Sequence, residues 1–274
     1  MLAVHSANGE ACLASIGIFD SGVGGLTVLK ALRQALPSES FVYLGDTARL
    51  PYGSKSAETI RRYLAQNMRF LQNLGVKAVV VACNSASTVL AGDVWDALPV
   101  YGVIRPGARQ ACSVTRNRRI GVLGTAATIQ SGAYPEALRE FDTAVFAVQQ
   151  PCPLLVPLVE EGWEGDSVTR EVLKRYLHNP LSQNVDTLIL GCTHYPVLKT
   201  LIAEIAGPDV CLVDSAEAVA RQLGDDLNTG KVAASDGTGS TQIWTTDTGP
   251  SFQAVGRRIL EPFRVGEWHS ADIS

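Results

Sequence analysis

Two cysteines stand apart from the other four in this chain. Cys83 follows the apolar run Ala78-Val-Val-Val-Ala82 and precedes Asn84-Ser85. Cys192 follows Thr187-Leu-Ile-Leu-Gly191 and precedes Thr193-His194. Each sits where a buried strand gives way to a helix, the edge of a parallel sheet at which ligands bind. A thiol at a helix N-terminus meets free amide N–H groups and the positive end of the helix dipole. Its pKa is therefore expected to fall below about 8.5, making thiolate accessible near neutral pH. Two opposed thiols suit one task well: removing a proton from one face of a carbon and returning one to the other. A cysteine protease needs instead one thiol with a histidine base and an orienting group. Here His194 is only two residues from Cys192, and Cys83 would have no part to play.

Other polar residues gather beside these positions. Asp20 ends the first apolar run and opens Asp20-Ser21-Gly22-Val23-Gly24-Gly25, whose amides can meet an anion. The spacing is not a dinucleotide fingerprint, and no phosphate-binding G-x-x-x-x-G-K-[ST] occurs. Asp20 is placed to receive an ammonium group, or serves as a helix N-cap. Asn84, Ser85 and Thr193 add neutral donors, Thr125 and Thr128 occupy the repeat position of Asp20-Ser21, and Pro51-Tyr52-Gly53-Ser54 forms a loop with a phenol. Many neutral donors and few cations suit a small substrate with two carboxylates. The four histidines are dispersed, with neither H-x-x-x-H nor C-x-x-C, so no metal site is expected.

The elements that must position these groups follow an alternating plan. Strands are read at Ile16–Phe19, Phe41–Leu44, Ala78–Ala82, Val100–Ile104, Ile120–Leu123, Ala144–Val148 and Thr187–Leu190. Helices are read at Leu26–Leu36, Ala57–Leu74 and Ser85–Leu98, and after Cys211 at Ser215–Leu223. Alternation of this kind gives an α/β fold with mostly parallel sheets covered on both faces. The chain also repeats itself. Ile16-Gly-Ile-Phe-Asp-Ser-Gly22 resembles Ile120-Gly-Val-Leu-Gly-Thr125, Ala31-Leu-Arg33 recurs as Ala137-Leu-Arg139, and the two cysteine segments match in the same order at nearly the same offset. Two pseudo-symmetric, doubly wound domains facing each other across a cleft are expected, divided as 1–98 plus 211–274 and 99–210, with the active site in the cleft.

Bulk properties narrow the function classes. The 274 residues are 46% hydrophobic and 18% charged, with a net charge of -4. That composition supports a large core and points away from nucleic acid or an anionic membrane surface. No apolar run approaches the roughly 18 residues that span a bilayer. Met1–Ser15 makes a poor signal peptide, so a frayed extension and a cytoplasmic protein are expected. Cys12, Cys112, Cys152 and Cys211 are read as small buried hydrophobes in a reducing compartment.

The motifs also carry a resemblance. Ile18-Phe-Asp-Ser-Gly-Val-Gly-Gly25, Tyr43-Leu-Gly-Asp-Thr-Ala-Arg-Leu-Pro-Tyr-Gly53, Val80-Val-Ala-Cys-Asn-Ser-Ala-Ser87, Ile120-Gly-Val-Leu-Gly-Thr125 and Leu190-Gly-Cys-Thr-His-Tyr-Pro196 are similar, in order, to the bacterial glutamate racemase family. The resemblance implies interconversion of L- and D-glutamate without pyridoxal or any other cofactor, supply of D-glutamate to peptidoglycan, and a homodimer. It implies that Cys83 acts on the D-enantiomer and Cys192 on the L-enantiomer, assisted by Asp20 and His194. Ser21, Pro51, Tyr52, Gly53, Asn84, Ser85, Thr125, Thr128, Thr193 and His194 are then the substrate contacts. Asp46 and Glu160 match acidic family positions and are given only supporting or structural roles. The family usually has threonine where this chain has Ser85, and Arg105 departs from the residues common in relatives. Aspartate and hydantoin racemases share the two-cysteine plan, while a two-lobed amino-acid binding protein would share only the halves.

Overall fold

A computed structural model describes residues 15–264, 266 and 268–273. Cys12 and the expected N-terminal extension up to residue 14 lie outside them. The first sheet is built from β1 (Ile16–Asp20), β2 (Phe41–Gly45), β3 (Ala78–Val81), β4 (Val94–Trp95), β5 (Leu98–Gly102), β10 (Thr241–Thr245) and β11 (Trp268–Ser270), in the order β11-β10-β2-β1-β3-β5-β4. The second contains β6 (Arg119–Gly124), β7 (Phe146–Pro151), β8 (Thr187–Gly191) and β9 (Cys211–Asp214), in the order β7-β6-β8-β9. Every pairing is parallel except β4 with β5.

The repeat seen in the sequence is a repeat of topology. The order β2-β1-β3-β5 in one sheet corresponds to β7-β6-β8-β9 in the other. Register agrees as well: Ile16 stands opposite Ala78, and Ile120 opposite Thr187. Cys83 and Cys192 therefore leave their sheets at equivalent heights.

Helices cover both faces, which is why the central strands read as unbroken apolar runs; β1, β2, β3 and β8 are buried along their whole length. One face of the first sheet packs on α1 (Leu26–Ala35), through Leu26, Val28, Leu29 and Leu32. The other packs on α2 (Ala57–Asn73), through Ile60, Leu64, Met68 and Leu71. Five shorter or peripheral helices follow: α3 (Asn84–Ser87), α4 (Ile104–Val114), α5 (Ala126–Gln130), α6 (Ala133–Phe141) and α7 (Leu155–Glu160). The remaining ones are α8 (Ser167–Ser182), α9 (Lys199–Ala206), α10 (Ser215–Asn228) and α11 (Pro250–Leu260). Helix α10 starts at the end of β9 in the second sheet, yet buries Ala216, Val219, Ala220, Leu223 and Leu227 in the core of the first.

Several expectations change. The helix expected over Ser85–Leu98 is only the four-residue α3, followed by a hairpin. Val94 pairs with Pro99 and Trp95 with Leu98, leaving a two-residue turn at Asp96-Ala97 with φ of 44° and 68°. Positive φ at both central residues matches the twist of such a hairpin, and the β-forming Val94 and Trp95 enter it rather than a helix. Strand β5 belongs to the first sheet and β9 to the second, each across the division expected at 98/99 and 210/211. The strand read at Ala144–Val148 is β7, shifted to Phe146–Pro151. Cys152 is buried as expected, but Cys112 is only partly buried and Cys211 is exposed, because β9 is an edge strand and Cys211 begins it.

Candidate active site

The ends of β1, β3, β6 and β8 converge, and four loops meet there in two crossed pairs. Asp20 ends β1, fully buried, and its Oδ2 accepts the amides of Gly22 (2.9 Å) and Gly25 (3.0 Å). Gly25 is required by packing: a Cβ there would lie 2.3 Å from Asp20 Cβ. From the opposite half, Thr193 Oγ1 donates to Asp20 Oδ1 at 3.4 Å. A Cβ on Gly24 would stand 2.3 Å from His194 Nδ1 and 2.5 Å from Thr193 Oγ1. Thus the loop after β1 meets the loop after β8.

The second crossing mirrors the first. Ser85, in α3 after Cys83, bonds Thr125 Oγ1 at 2.9 Å and Thr128 Oγ1 at 3.3 Å, and Thr125 donates to Thr128 at 3.0 Å. Thr125 also caps α5 by accepting the Thr128 amide. Nearby, Gly53 approaches Thr125 so closely that a Cβ would lie 2.7 Å from Thr125 Cβ. The structure therefore brings Thr125 and Thr128 to Ser85, as their repeat positions require.

Both thiols are buried at this junction. Cys83 Sγ donates to Ser21 Oγ at 3.4 Å. Its acidity departs from expectation. Burial pushes Cys83 up to about 12, the charges of Asp20 and Cys192 push the same way, and the Ser21 hydroxyl and Ala86 amide offset them only partly. A four-residue helix carries too little dipole to overcome desolvation.

Cys192 has His194 beside it, with Sγ to Nδ1 at 3.9 Å, and His194 Nε2 lies 3.1 Å from Glu160 Oε1 at the end of α7. Burial alone would depress the imidazole; the hydrogen bonds and charges of Cys192 and Glu160 outweigh it and raise His194 to about 10. The raised value favours the protonated imidazole, with its Nδ1 facing the Cys192 sulfur. Asp20 is raised by burial, with His194, the two glycine amides and Thr193 opposing that rise.

Asn84 is buried and its Oδ1 accepts a 2.7 Å hydrogen bond from Tyr134 on α6. Pro51 is exposed at the mouth, while Tyr52 is turned inward. Its hydroxyl donates to buried Asp46, which also pairs with Arg49 and accepts from Asn67 and Thr246. The Tyr52 ring packs on Phe19 and Tyr63. Its phenol therefore anchors the loop that carries Gly53 rather than projecting among the thiols. Glu160, Tyr134, Tyr43 and Thr27 were not singled out as neighbours of the thiols from sequence; Tyr43 supports Gly22 by donating to its carbonyl at 2.6 Å.

A cavity of about 270 Å³ lies between α1, α11 and the Pro196-Val197 segment. The space touching Cys192, Thr193 and Asn84 measures only about 10 Å³. The chemistry and not the volume marks the site: two thiols, a buried carboxyl, an imidazole and a ring of hydroxyls meet at the strand ends.

Comparison with known proteins agrees with this geometry. The chain is 47% identical over 249 residues to a glutamate racemase of Geobacter metallireducens, covering 90% of this chain and 92% of that protein. Its fold superposes on glutamate racemase isoform RacE1 from Bacillus anthracis with a TM-score of 0.89 at 38% identity, over 94% of this chain and 97% of that one. It superposes on the Francisella tularensis glutamate racemase, solved in complex with D-glutamate, with a TM-score of 0.88 at 34% identity, over 96% and 98%. The family model for Asp/Glu/Hydantoin racemase matches residues 16–223, a span that begins with β1 and runs through both thiols into α10. On both its sequence and the duplicated sheets that bring Cys83 and Cys192 together, the chain belongs to the Asp/Glu/Hydantoin racemase family.

Proposed function

We propose that this protein interconverts L- and D-glutamate by proton transfer between two thiols, Cys83 and Cys192. The observation that carries the reading is their position at register-equivalent strand ends of two facing sheets. The reaction needs one thiolate and one thiol. The thiolate takes the α-proton from one face, the α-carbon becomes planar, and the opposite thiol returns a proton to the other face. The roles are then exchanged, and the reverse reaction restores them. Burial pushes Cys83 up to about 12, which favours its protonated form, and Cys192 has His194 beside it.

Asp20 receives the substrate ammonium, and Ser21, Asn84, Ser85, Thr125, Thr128 and Thr193 hold the carboxylates with neutral donors. His194 sits at the Cys192 side. Pro51, Tyr52 and Gly53 form the wall toward the side-chain end. No cofactor takes part. The lobes are close to 1–98 with 211–274 and 99–210, each boundary lying a few residues further on if β5 and β9 are assigned by sheet. The wider reading is a cytoplasmic homodimer that supplies D-glutamate for peptidoglycan; among the described residues no helix is long and apolar enough to cross a membrane.

The test is circular dichroism of L-glutamate incubated with protein dialysed against chelator. The ellipticity should decay to zero, and L-aspartate should turn over at least tenfold more slowly, since a buried donor left unpaired by the shorter chain costs about 1–3 kcal/mol. Comparable turnover of L-aspartate would move the substrate to the shorter diacid. A requirement for added metal or pyridoxal phosphate would overturn the mechanism.

A further inference from the structure

Each thiol is followed by a residue that is tied to the opposite half by one hydroxyl. Thr27, in the first turn of α1, has Oγ1 2.9 Å from the carbonyl of Thr193, the residue after Cys192. The same hydroxyl lies 2.9 Å from Gly24 O, its local alternative acceptor. Tyr134, in the first turn of α6, donates at 2.7 Å to Oδ1 of Asn84, the residue after Cys83. Its oxygen also lies 2.9 Å from Ser215 Oγ at the start of α10. Helices α1 and α6 are the repeat equivalents that carry Ala31-Leu-Arg33 and Ala137-Leu-Arg139. The two contacts are thus one device used twice: the helix that carries the repeated Ala-Leu-Arg segment in each half holds the thiol loop of the other.

The Tyr134 contact is fully enclosed. Tyr134 is fully buried, Asn84 and Ser215 nearly so. The ring is wedged against Gly191, where a Cβ would meet Cε2 at 3.1 Å, so removing the hydroxyl alone leaves the ring held in place. We propose that Thr27 and Tyr134 are positioning residues, one for each thiol, which fix Cys192 and Cys83 respectively by holding the next residue across the interface. Neither touches the reacting atoms. Proton transfer to carbon is steeply sensitive to donor–acceptor placement, so loosening one loop should slow the step made by that thiol and spare the other.

The inference rests on the two-thiol reading, and its test separates the two. Primary deuterium isotope effects on kcat/KM are measured with α-deuterated L- and D-glutamate for the wild type, Thr27→Val, Thr27→Ser and Tyr134→Phe. Tyr134→Phe should lower kcat several-fold with a smaller change in KM, and raise the isotope effect for the enantiomer whose proton Cys83 takes. Thr27→Val should raise it for the other enantiomer, and Thr27→Ser, which keeps the hydroxyl, should restore the wild-type ratio. Thr169→Val provides a control: Thr169 is fully buried, donates to Trp163 O in a different part of the fold, and should lower stability without altering the ratio.

A second readout needs no substrate. Iodoacetamide labelling followed by mass spectrometry should speed at Cys83 in Tyr134→Phe and at Cys192 in Thr27→Val. Equal shifts for both enantiomers and both thiols, or no benefit of serine over valine at position 27, would overturn the proposal. The two-thiol reading would survive that result as long as the wild type racemises and each cysteine variant does not.

Discussion

Gly24 and His194 approach across the interface until no room remains for a single methyl group between them: a Cβ on Gly24 would lie 2.3 Å from His194 Nδ1. The same Cβ would lie 2.5 Å from Thr193 Oγ1, so the loop after β1 and the loop that follows Cys192 are fitted to each other. His194 is pinned behind by Glu160 at 3.1 Å and cannot retreat without breaking that bond. Gly24→Ala should therefore displace the imidazole from Cys192 and cut kcat by tenfold or more, with a modest loss of stability. Steady-state racemisation and a melting curve would check this; unchanged kcat would show that His194 needs no such fit.

Gly53 makes the matching approach to Thr125, with 2.7 Å to Thr125 Cβ. Here the neighbour is the part-buried N-cap side chain of α5, held by Ser85 and Thr128. Gly53→Ala should hold the Pro51–Ser54 loop away from the second half. The expected result is a raised KM for glutamate, with kcat affected less than in Gly24→Ala, because the loop carries neither a thiol nor His194. Initial-rate kinetics over a range of glutamate concentrations separates the two parameters.

The buried His194 gives a pH signature. Its pKa is raised in the folded protein to about 10, against an ordinary value of 6.5. A raised pKa means that the folded state binds the proton more tightly than the unfolded chain. The resulting stabilisation is complete below about pH 6.5 and is lost as pH rises through about 10. Wild-type Tm should fall more steeply over that window than the Tm of His194→Asn. Asp20 follows the same sign in a more acidic window. Its pKa is raised by burial, so ionising it weakens the fold as pH climbs from the ordinary carboxylate range. Asp20→Asn should therefore melt higher than wild type at neutral pH while racemising far more slowly. A Tm below wild type would mean that the Gly22 and Gly25 amides need the charge.

The two thiols should separate cleanly by partial reaction. Replacing either Cys83 or Cys192 with alanine should abolish racemisation, since every crossing uses both. A glutamate analogue with a β leaving group needs only one base to eliminate. Cys83→Ala should eliminate from the L-form through Cys192, and Cys192→Ala from the D-form through Cys83. Product formation from each enantiomer is the measurement. Elimination by both variants from the same enantiomer would place the thiols on one face.

Much of this arrangement is legible in the linear chain. The strands around Ile16, Phe41, Ala78, Ile120 and Thr187 announce themselves as short β-branched runs, because parallel strands buried on both faces need apolar residues throughout. The repeat then pairs Cys83 with Cys192, since duplicated strands in one register must deliver equivalent residues to equivalent heights. Asp20, Ser21, Thr125, Thr193 and His194 follow from the same logic, as residues at strand ends.

What the tertiary structure decided depends on groups far apart in sequence. The Cys83 thiol lies near 12 instead of below its ordinary value because burial and Asp20 outweigh a one-turn helix. Tyr52 faces Asp46, and Tyr134 and Thr27 reach the opposite half, because side-chain direction is set by packing partners that no local pattern encodes. The hairpin at Val94–Leu98 replaces a helix because β5 pairs with β3 and β4 folds back on it as the edge strand, a tertiary pairing that overrides local periodicity. Strand and helix type follow from short-range pattern; acidity, orientation and the closing of the two halves on each other are properties of the folded neighbourhood alone.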